Sequence, residues 1–111
     1  MERLKATSYI ASWKAQGRTT KLDLETFNED MKGRKISICA IQETRNNNST
    51  EIDIDGNIFI FFGVSVQANG YGGLGFYISR AWKHRLTGYQ LKNERVATIR
   101  FQIEEKETTT S

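Results

Sequence analysis

The stretch from Ile36 to Arg45 constrains this chain most, because an apolar run passes directly into polar and charged residues. Its first six residues read Ile-Ser-Ile-Cys-Ala-Ile, and the run ends in Gln-Glu-Thr-Arg. A short apolar run of this kind is typical of a buried β-strand. A carboxylate directly after such a strand lies at the rim of a sheet, on a rigid scaffold that can serve a site. We therefore predict a central strand at Ile36–Ile41 and a candidate site residue at Glu43.

Two further elements precede this strand. Thr7–Trp13 is aromatic, β-branched and uncharged, which predicts a first strand. An apolar stripe on an otherwise acidic segment then predicts a helix over Asp23–Lys32, with Asp23 as its cap and Gly33 just past its end. The stripe is formed by Leu24, Phe27 and Met31. A strand, a helix and a strand in this order predict two parallel strands joined by a right-handed crossover.

The remainder of the chain favours antiparallel strands. Asp55-Gly56 predicts a hairpin turn, which Asn57 lengthens slightly, before a return strand at Ile58–Phe62. A glycine-rich segment predicts a tight turn into a closely packed strand at Phe76–Ser79. A last strand is predicted at Glu94–Ile103. The sequence thus predicts one α/β (α+β) domain with a mixed sheet over residues 1–103, followed by a disordered polar tail over 104–111.

Composition limits the classes of protein to which the chain can belong. It has 111 residues, a net charge of +3 and one cysteine, Cys39, so it suits one small domain without an intrachain disulfide. Met1–Lys5 is charged, and no apolar run approaches the length of a membrane span. We expect an intracellular protein, nuclear or cytoplasmic, without a membrane segment, in which Cys39 is a small buried thiol.

A basic segment, Arg80–Arg85, has the sequence Arg-Ala-Trp-Lys-His-Arg. Cations beside an aromatic ring can contact the phosphate backbone of DNA or RNA. A solvated turn anchored by Trp82 accounts for the same residues, and both interpretations stay open. The candidate nucleic-acid contacts in the whole chain are Lys14, Arg45, Arg80, Lys83 and Arg85.

Several motifs occur in an order that resembles a known family. They are a strand ending in Ser12-Trp13, an amphipathic helix, Gln42-Glu43-Thr44, Gly72-Gly-Leu-Gly-Phe-Tyr-Ile-Ser and Arg95-Val-Ala-Thr-Ile-Arg. From about Lys5 to Ile103, the chain resembles the N-terminal part of the endonuclease/exonuclease/phosphatase superfamily. The closest similarity is to endonuclease domains of non-LTR retrotransposons and to craniofacial-development-protein-2-like sequences. The resemblance implies the N-terminal half of a four-layer α/β sandwich.

The resemblance also implies a metal site at Glu43. In that family the matching glutamate binds Mg²⁺ or Mn²⁺, which stabilises charge while a phosphodiester is hydrolysed. This chain departs from the pattern at Lys14, where the family carries a supporting asparagine, and at Gln16, where some members carry aspartate. An ammonium has only donors, so it repels a metal or takes its place beside the carboxylate. Glu43 is therefore either a metal ligand or the ion-pair partner of Lys14 or Arg45.

The family domain continues well beyond the region that this chain resembles. Its catalytic tyrosine, its aspartate-asparagine pair and its closing aspartate-histidine pair have no counterpart here. We therefore expect a truncated, retroelement-derived, metal-dependent endonuclease-like domain that is weakly active or inactive alone. The alternative is a non-catalytic module that binds nucleic acid or protein. A half-fold would expose its inner face, so we also expect self-association or a partner that covers it.

Overall fold

Hydrogen bonds join five strands into one mixed sheet, and a separate hairpin packs against it. The computed structural model describes residues 9–63, 72–93 and 96–102. Along the sheet the strand order is β1-β2-β5-β4-β3, and β6 pairs with β7 in a two-stranded sheet. The elements are β1 (Tyr9–Lys14), α1 (Lys21–Gly33), β2 (Ile36–Gln42), β3 (Thr50–Ile54), β4 (Asn57–Phe61), β5 (Leu74–Ile78), α2 (Arg80–Lys83), β6 (Leu86–Asn93) and β7 (Val96–Phe101).

The predicted parallel pairing of the first and central strands is confirmed. β1 and β2 are parallel neighbours, with Trp13 opposite Ile41 and Lys14 opposite Gln42. The remaining pairs in the sheet are antiparallel. The strand predicted as central is present and extends to Gln42. It lies second in the sheet, however, and the central position belongs to β5. The first strand ends at Lys14, one residue later than predicted, and the Thr7 end of that prediction lies outside the described residues.

Helix α1 begins earlier than predicted because its cap is Thr20. The Thr20 hydroxyl accepts a hydrogen bond from the Asp23 backbone N–H at 3.2 Å, and the Asp23 carboxylate accepts one from the Thr20 N–H at 3.0 Å. This reciprocal arrangement is a capping box. Hydrogen bonds from Thr20 hold the pKa of Asp23 below its ordinary value. The prediction of Asp23 as the cap was wrong, and Gly33 is the last helical residue, not the first beyond the helix.

Two apolar clusters lie on opposite faces of the five-stranded sheet. On one face, α1 packs through Leu24, Phe27 and Met31 onto side chains of the sheet, including the fully buried Phe59 and Tyr77. The stripe predicted from the sequence is thus the buried face of the helix. On the other face, the β6–β7 hairpin and Trp82 of α2 cover the second cluster, which contains Ile58, Ile60, Phe62 and Ile78. The described residues therefore form an α+β arrangement of helix, mixed sheet and hairpin.

Several predicted boundaries in the second half of the chain need correction. The Asp55-Gly56 pair forms the hairpin turn with positive φ at both residues, and Asn57 is already the first residue of β4. The strand predicted at Phe76–Ser79 runs from Leu74 to Ile78. Gly75 is required within it, because a Cβ there would lie 2.6 Å from the Ile60 carbonyl oxygen.

The sequence interpretation missed strand β6 altogether. It pairs with β7, which runs from Val96 to Phe101 within the predicted last strand. Ala97, Ile99 and Phe101 share the face that packs on the sheet. The two ends of that predicted strand, Glu94 and Ile103, and the predicted tail over 104–111 lie outside the described residues. Among the described helices, none is long and apolar enough to cross a membrane.

Replacing Thr20 with alanine is expected to lower the free energy of unfolding by about 1 kcal/mol, because the helix loses its capping hydroxyl. Thr26→Ala is the matched control, since Thr26 is exposed within the same helix and alanine is the better helix former there. Chemical denaturation followed by circular dichroism measures both. Equal effects of the two substitutions would contradict the capping assignment.

Candidate functional site

The carboxyl ends of β1 and β2 bring two distant charged residues together. Lys14 is the last residue of β1, and Glu43 directly follows β2. The Lys14 Nζ lies 3.4 Å from Oε2 of Glu43. Arg45 Nη2 lies 3.5 Å from the other carboxylate oxygen, Oε1. These three residues form what we call the strand-end cluster, in which two cations share one carboxylate.

Main-chain hydrogen bonds hold the Glu43–Arg45 segment from two sides. The β1–β2 ladder continues past the strands, where the Gly17 N–H donates to the Glu43 carbonyl at 2.9 Å. On the other side, the Arg45 N–H donates to the Gly72 carbonyl at 2.9 Å. Both Glu43 and Arg45 have left-handed backbone conformations, with φ of 54° and 57°. Such conformations are uncommon for residues with a side chain, and they persist where the surrounding structure fixes them.

The loop after β2 contains one polar group whose position is unusual. Thr44 is fully buried, and its hydroxyl has no hydrogen-bond partner among the described residues. By contrast, the Thr19 hydroxyl donates a hydrogen bond to the Asn46 side-chain oxygen at 2.8 Å. That bond ties the loop after β1 to the loop after β2. A buried hydroxyl without a partner is unfavourable for stability, so the Thr44 hydroxyl is expected to lower the free energy of unfolding.

The strand-end cluster does not fit a divalent metal ion. Mg²⁺ and Mn²⁺ need oxygen ligands, and Glu43 supplies the only carboxylate in the cluster. Each of its two oxygens faces a cation, from Lys14 and from Arg45. Nowhere in the described part of the chain do three or more His, Cys, Asp or Glu side chains group around a possible ion. The implied metal site therefore stays a prediction.

Cys39, the one cysteine of the chain, lies in β2 but takes no part in the cluster. Its side chain is fully buried in the core beneath α1. Burial raises the pKa of its thiol to about 12. A thiol in that state stays protonated at neutral pH, so it is neither a nucleophile nor a metal ligand. The prediction of a small buried thiol is confirmed.

The candidate nucleic-acid contacts fall into two separate groups. Arg80 and Lys83 belong to the short helix α2, whose preceding residue, Ser79, hydrogen-bonds the Ser37 carbonyl near the start of β2. Glu43 follows the opposite end of that strand. Since a strand rises about 3.3 Å per residue, the seven residues of β2 separate the two groups by about 20 Å.

The basic residues of the second group have structural partners. The Lys83 ammonium lies 3.3 Å from the Asp53 carboxylate, and Arg80 donates to the Asp55 carbonyl. Hydrogen bonds from the Gly56 N–H and from Lys83 lower the pKa of Asp53. The guanidinium of Arg85 lies 5.5 Å from the centre of the Trp82 ring. Trp82 in turn packs into the second apolar cluster. This arrangement favours the structural interpretation of Arg80–Arg85, in which a tryptophan anchors the segment.

Sequence reasoning identified the charged members of the cluster but missed the residues that hold it in place. Thr19 and Asn46 were passed over because they lie in polar loop segments, where single residues carry little signal. Thr44 was noted only as part of the Gln42-Glu43-Thr44 motif. The role of Gly72 is a main-chain contact to Arg45, and no side-chain pattern encodes it. Glu43 could be predicted as a site residue because it directly follows an apolar strand.

Comparisons of the chain with protein-family models, with curated proteins and with solved structures find no match.

Replacing Thr44 with valine is expected to raise the free energy of unfolding by about 1 kcal/mol, because an isosteric methyl group removes a buried hydroxyl without a partner. The matched control is Thr19→Val, which deletes a hydroxyl that donates to Asn46 and should destabilise the fold. Thermal or chemical denaturation of the purified variants measures the difference. Destabilisation by Thr44→Val as large as that by Thr19→Val would contradict this account of the loop.

Proposed function

We propose that this chain is part of a nucleic-acid phosphodiesterase domain similar to the endonuclease/exonuclease/phosphatase superfamily and derived from a retroelement. One observation supports the proposal above the others. The parallel pairing of β1 and β2 brings Lys14 and Glu43 to 3.4 Å. The resemblance assigns those same two positions to one site, where they correspond to a supporting asparagine and a metal-binding glutamate.

Cleavage by this chain is expected to be weak or absent. The cation beside Glu43 is an ammonium, which can neither coordinate a phosphate oxygen as a Lewis acid nor lower the pKa of a bound water as a metal does. No side chain in the strand-end cluster offers a general base for water, since Lys14 and Arg45 are donors and Glu43 is paired with both. The proposed Mg²⁺ or Mn²⁺ requirement thus belongs to an active relative of this domain.

A second candidate function is binding of nucleic acid without cleavage. The observation in its favour is the charge of the strand-end cluster, in which two cations face one carboxylate at the rim of the sheet. Lys14 is 57% exposed, so its ammonium is accessible to a phosphate. Guanidinium and ammonium groups bind phosphate oxygens through charge-assisted hydrogen bonds. The contact would be to the backbone and therefore independent of base sequence.

Binding and cleavage assays on the same set of variants distinguish the two candidate functions. In EDTA, we expect salt-dependent binding to a labelled duplex, with Lys14→Gln reducing the salt-dependence slope by about one. Glu43→Gln should bind more tightly than the parent, because Lys14 and Arg45 lose their competing carboxylate. The matched control is Lys32→Gln, which removes an ammonium that pairs with Glu29 on the helix surface. Fluorescence anisotropy over a range of salt concentrations measures these effects.

Nicking of supercoiled plasmid with Mg²⁺ or Mn²⁺ gives the second readout. We expect no cleavage above the background of Glu43→Gln. Nicking that Glu43→Gln abolishes would show an active metal site and contradict the inactive state proposed here. Absence of duplex binding even at low salt would contradict both candidate functions.

The finer architecture is also a proposal: we infer that the β6–β7 sheet is the start of a second sheet of a four-layer sandwich. Strand β7 packs over β5, whereas Tyr89 of β6 reaches Glu51 of β3. The free edge of β7 is therefore directed towards the half of the first sheet that the hairpin leaves uncovered. There, Ile10 of β1 is 78% exposed, and Ile38 of β2 is only partly buried.

In the isolated 111-residue chain, a second copy is expected to cover this face. An exposed apolar strip on an edge strand favours association, so the chain should sediment as a dimer or larger species at micromolar concentration. Ile10→Asp should shift it towards the monomer without lowering the melting temperature, because the side chain makes few contacts within the chain. Analytical ultracentrifugation with circular dichroism tests this, and a monomeric parent chain would contradict it.

A further inference from the structure

The position of Lys14 bears on whether a divalent cation can bind to Glu43. The strand register fixes where Lys14 lies, because Lys14 is opposite Gln42 in the parallel ladder. The N–H of Ala15, the residue after β1, donates to the Gln42 carbonyl at 2.8 Å. The Lys14 side chain therefore starts one ladder position from Glu43. Strand pairing therefore sets where the Lys14 side chain begins relative to the carboxylate.

Both oxygens of the Glu43 carboxylate are already engaged. Lys14 approaches Oε2 at 3.4 Å and Arg45 approaches Oε1 at 3.5 Å. The carboxylate is 32% exposed, so it is more shielded from water than its lysine partner. A divalent ion entering from solvent would have to displace one cation and would then be repelled by both at close range.

Ordinary surface ion pairs in the same chain provide a comparison. Lys32 and Glu29 lie 3.3 Å apart on α1, but the Glu29 side chain is 69% exposed. That pair has one cation for one carboxylate. The strand-end cluster differs because its carboxylate is held by a fixed backbone and meets two cations from different strands or loops.

We propose that Lys14 is a resident counter-ion that keeps divalent cations away from Glu43, so that one substitution, Lys14→Asn, opens a divalent-cation site at this carboxylate. The inference rests on the proposed function only in taking Glu43 as the metal-binding position. Asparagine removes the positive charge and adds an amide oxygen, which is a suitable ligand for a hard cation.

The test is Mn²⁺ binding by the full 111-residue chain, followed through paramagnetic broadening of backbone amide signals. We expect Lys14→Asn to bind Mn²⁺ at least tenfold more tightly than the parent, with broadening centred on residues 42–45. Adding Glu43→Gln to this variant should return binding to the parent level. Lys32→Asn is the matched control, because it removes the same charge from the helix-surface pair, and it should leave broadening at residues 42–45 unchanged.

Lys14→Gln is a second variant that keeps an amide oxygen on a longer side chain, and it should also gain affinity. The proposal is overturned if the parent broadens at residues 42–45 at the same Mn²⁺ concentration as Lys14→Asn. It is equally overturned if neither Lys14 variant gains affinity, or if Lys32→Asn gains as much. Duplex binding in EDTA is measured separately, so a failure of the proposed function can be distinguished from a failure of this inference. If a Lys14 variant gains Mn²⁺ binding but the chain does not bind nucleic acid, only the proposed function is refuted.

Discussion

The parallel pairing of β1 with β2 is the constraint on which the remainder of the structure depends. Parallel strands need a crossover, and α1 supplies it while burying its apolar stripe on one face of the sheet. The same pairing places the carboxyl ends of both strands at one rim. The strand-end cluster is thus a direct consequence of the topology that forms the core, which is why its residues can be distant in sequence and adjacent in space.

The two ends of β2, which lies between β1 and β5, have different surroundings. Its end at Gln42 leads into loops that hold Glu43 in a left-handed conformation between Gly17 and Gly72. Its beginning is flanked by α2, where Arg80 and Lys83 bind carbonyl and carboxylate groups of the β3–β4 hairpin. Both ends therefore contain ion pairs, and two cations meet one carboxylate only in the strand-end cluster among the ion pairs described here. Net positive charge alone does not distinguish these two arrangements.

The parts of the fold that were predictable have local, periodic patterns. The stripe of α1, the apolar run of β2 and the Asp55-Gly56 turn each encode their structure within a few residues. Strand β6 was not predictable in this way, because most of its residues are exposed and its conformation follows from pairing with β7. The capping box could have been predicted, since Thr20 precedes Asp23 by the required three residues. Asp23 was instead predicted to be the cap.

At the candidate site, sequence spacing identified Glu43 and left two states open for it. The ion-paired state is the one that the structure contains, because register brings Lys14 to the carboxylate and the loop conformation brings Arg45 to its other oxygen. The left-handed backbone at Glu43 and the buried hydroxyl of Thr44 depend on tertiary packing. No pattern in a single sequence encodes them, since residues with side chains at positive φ look like any others.

The most direct test of this account is a nuclear Overhauser measurement on the isotopically labelled Ile10→Asp variant, which is expected to favour the monomer of about 12.7 kDa. The account predicts contacts between the terminal methylene protons of Lys14 and the side-chain methylene protons of Glu43, together with cross-strand contacts between Trp13 and Ile41. Cross-strand contacts without the Lys14–Glu43 contacts would mean that the strands pair but the carboxylate is free. That result would contradict the claim that a lysine holds the position of a metal ion.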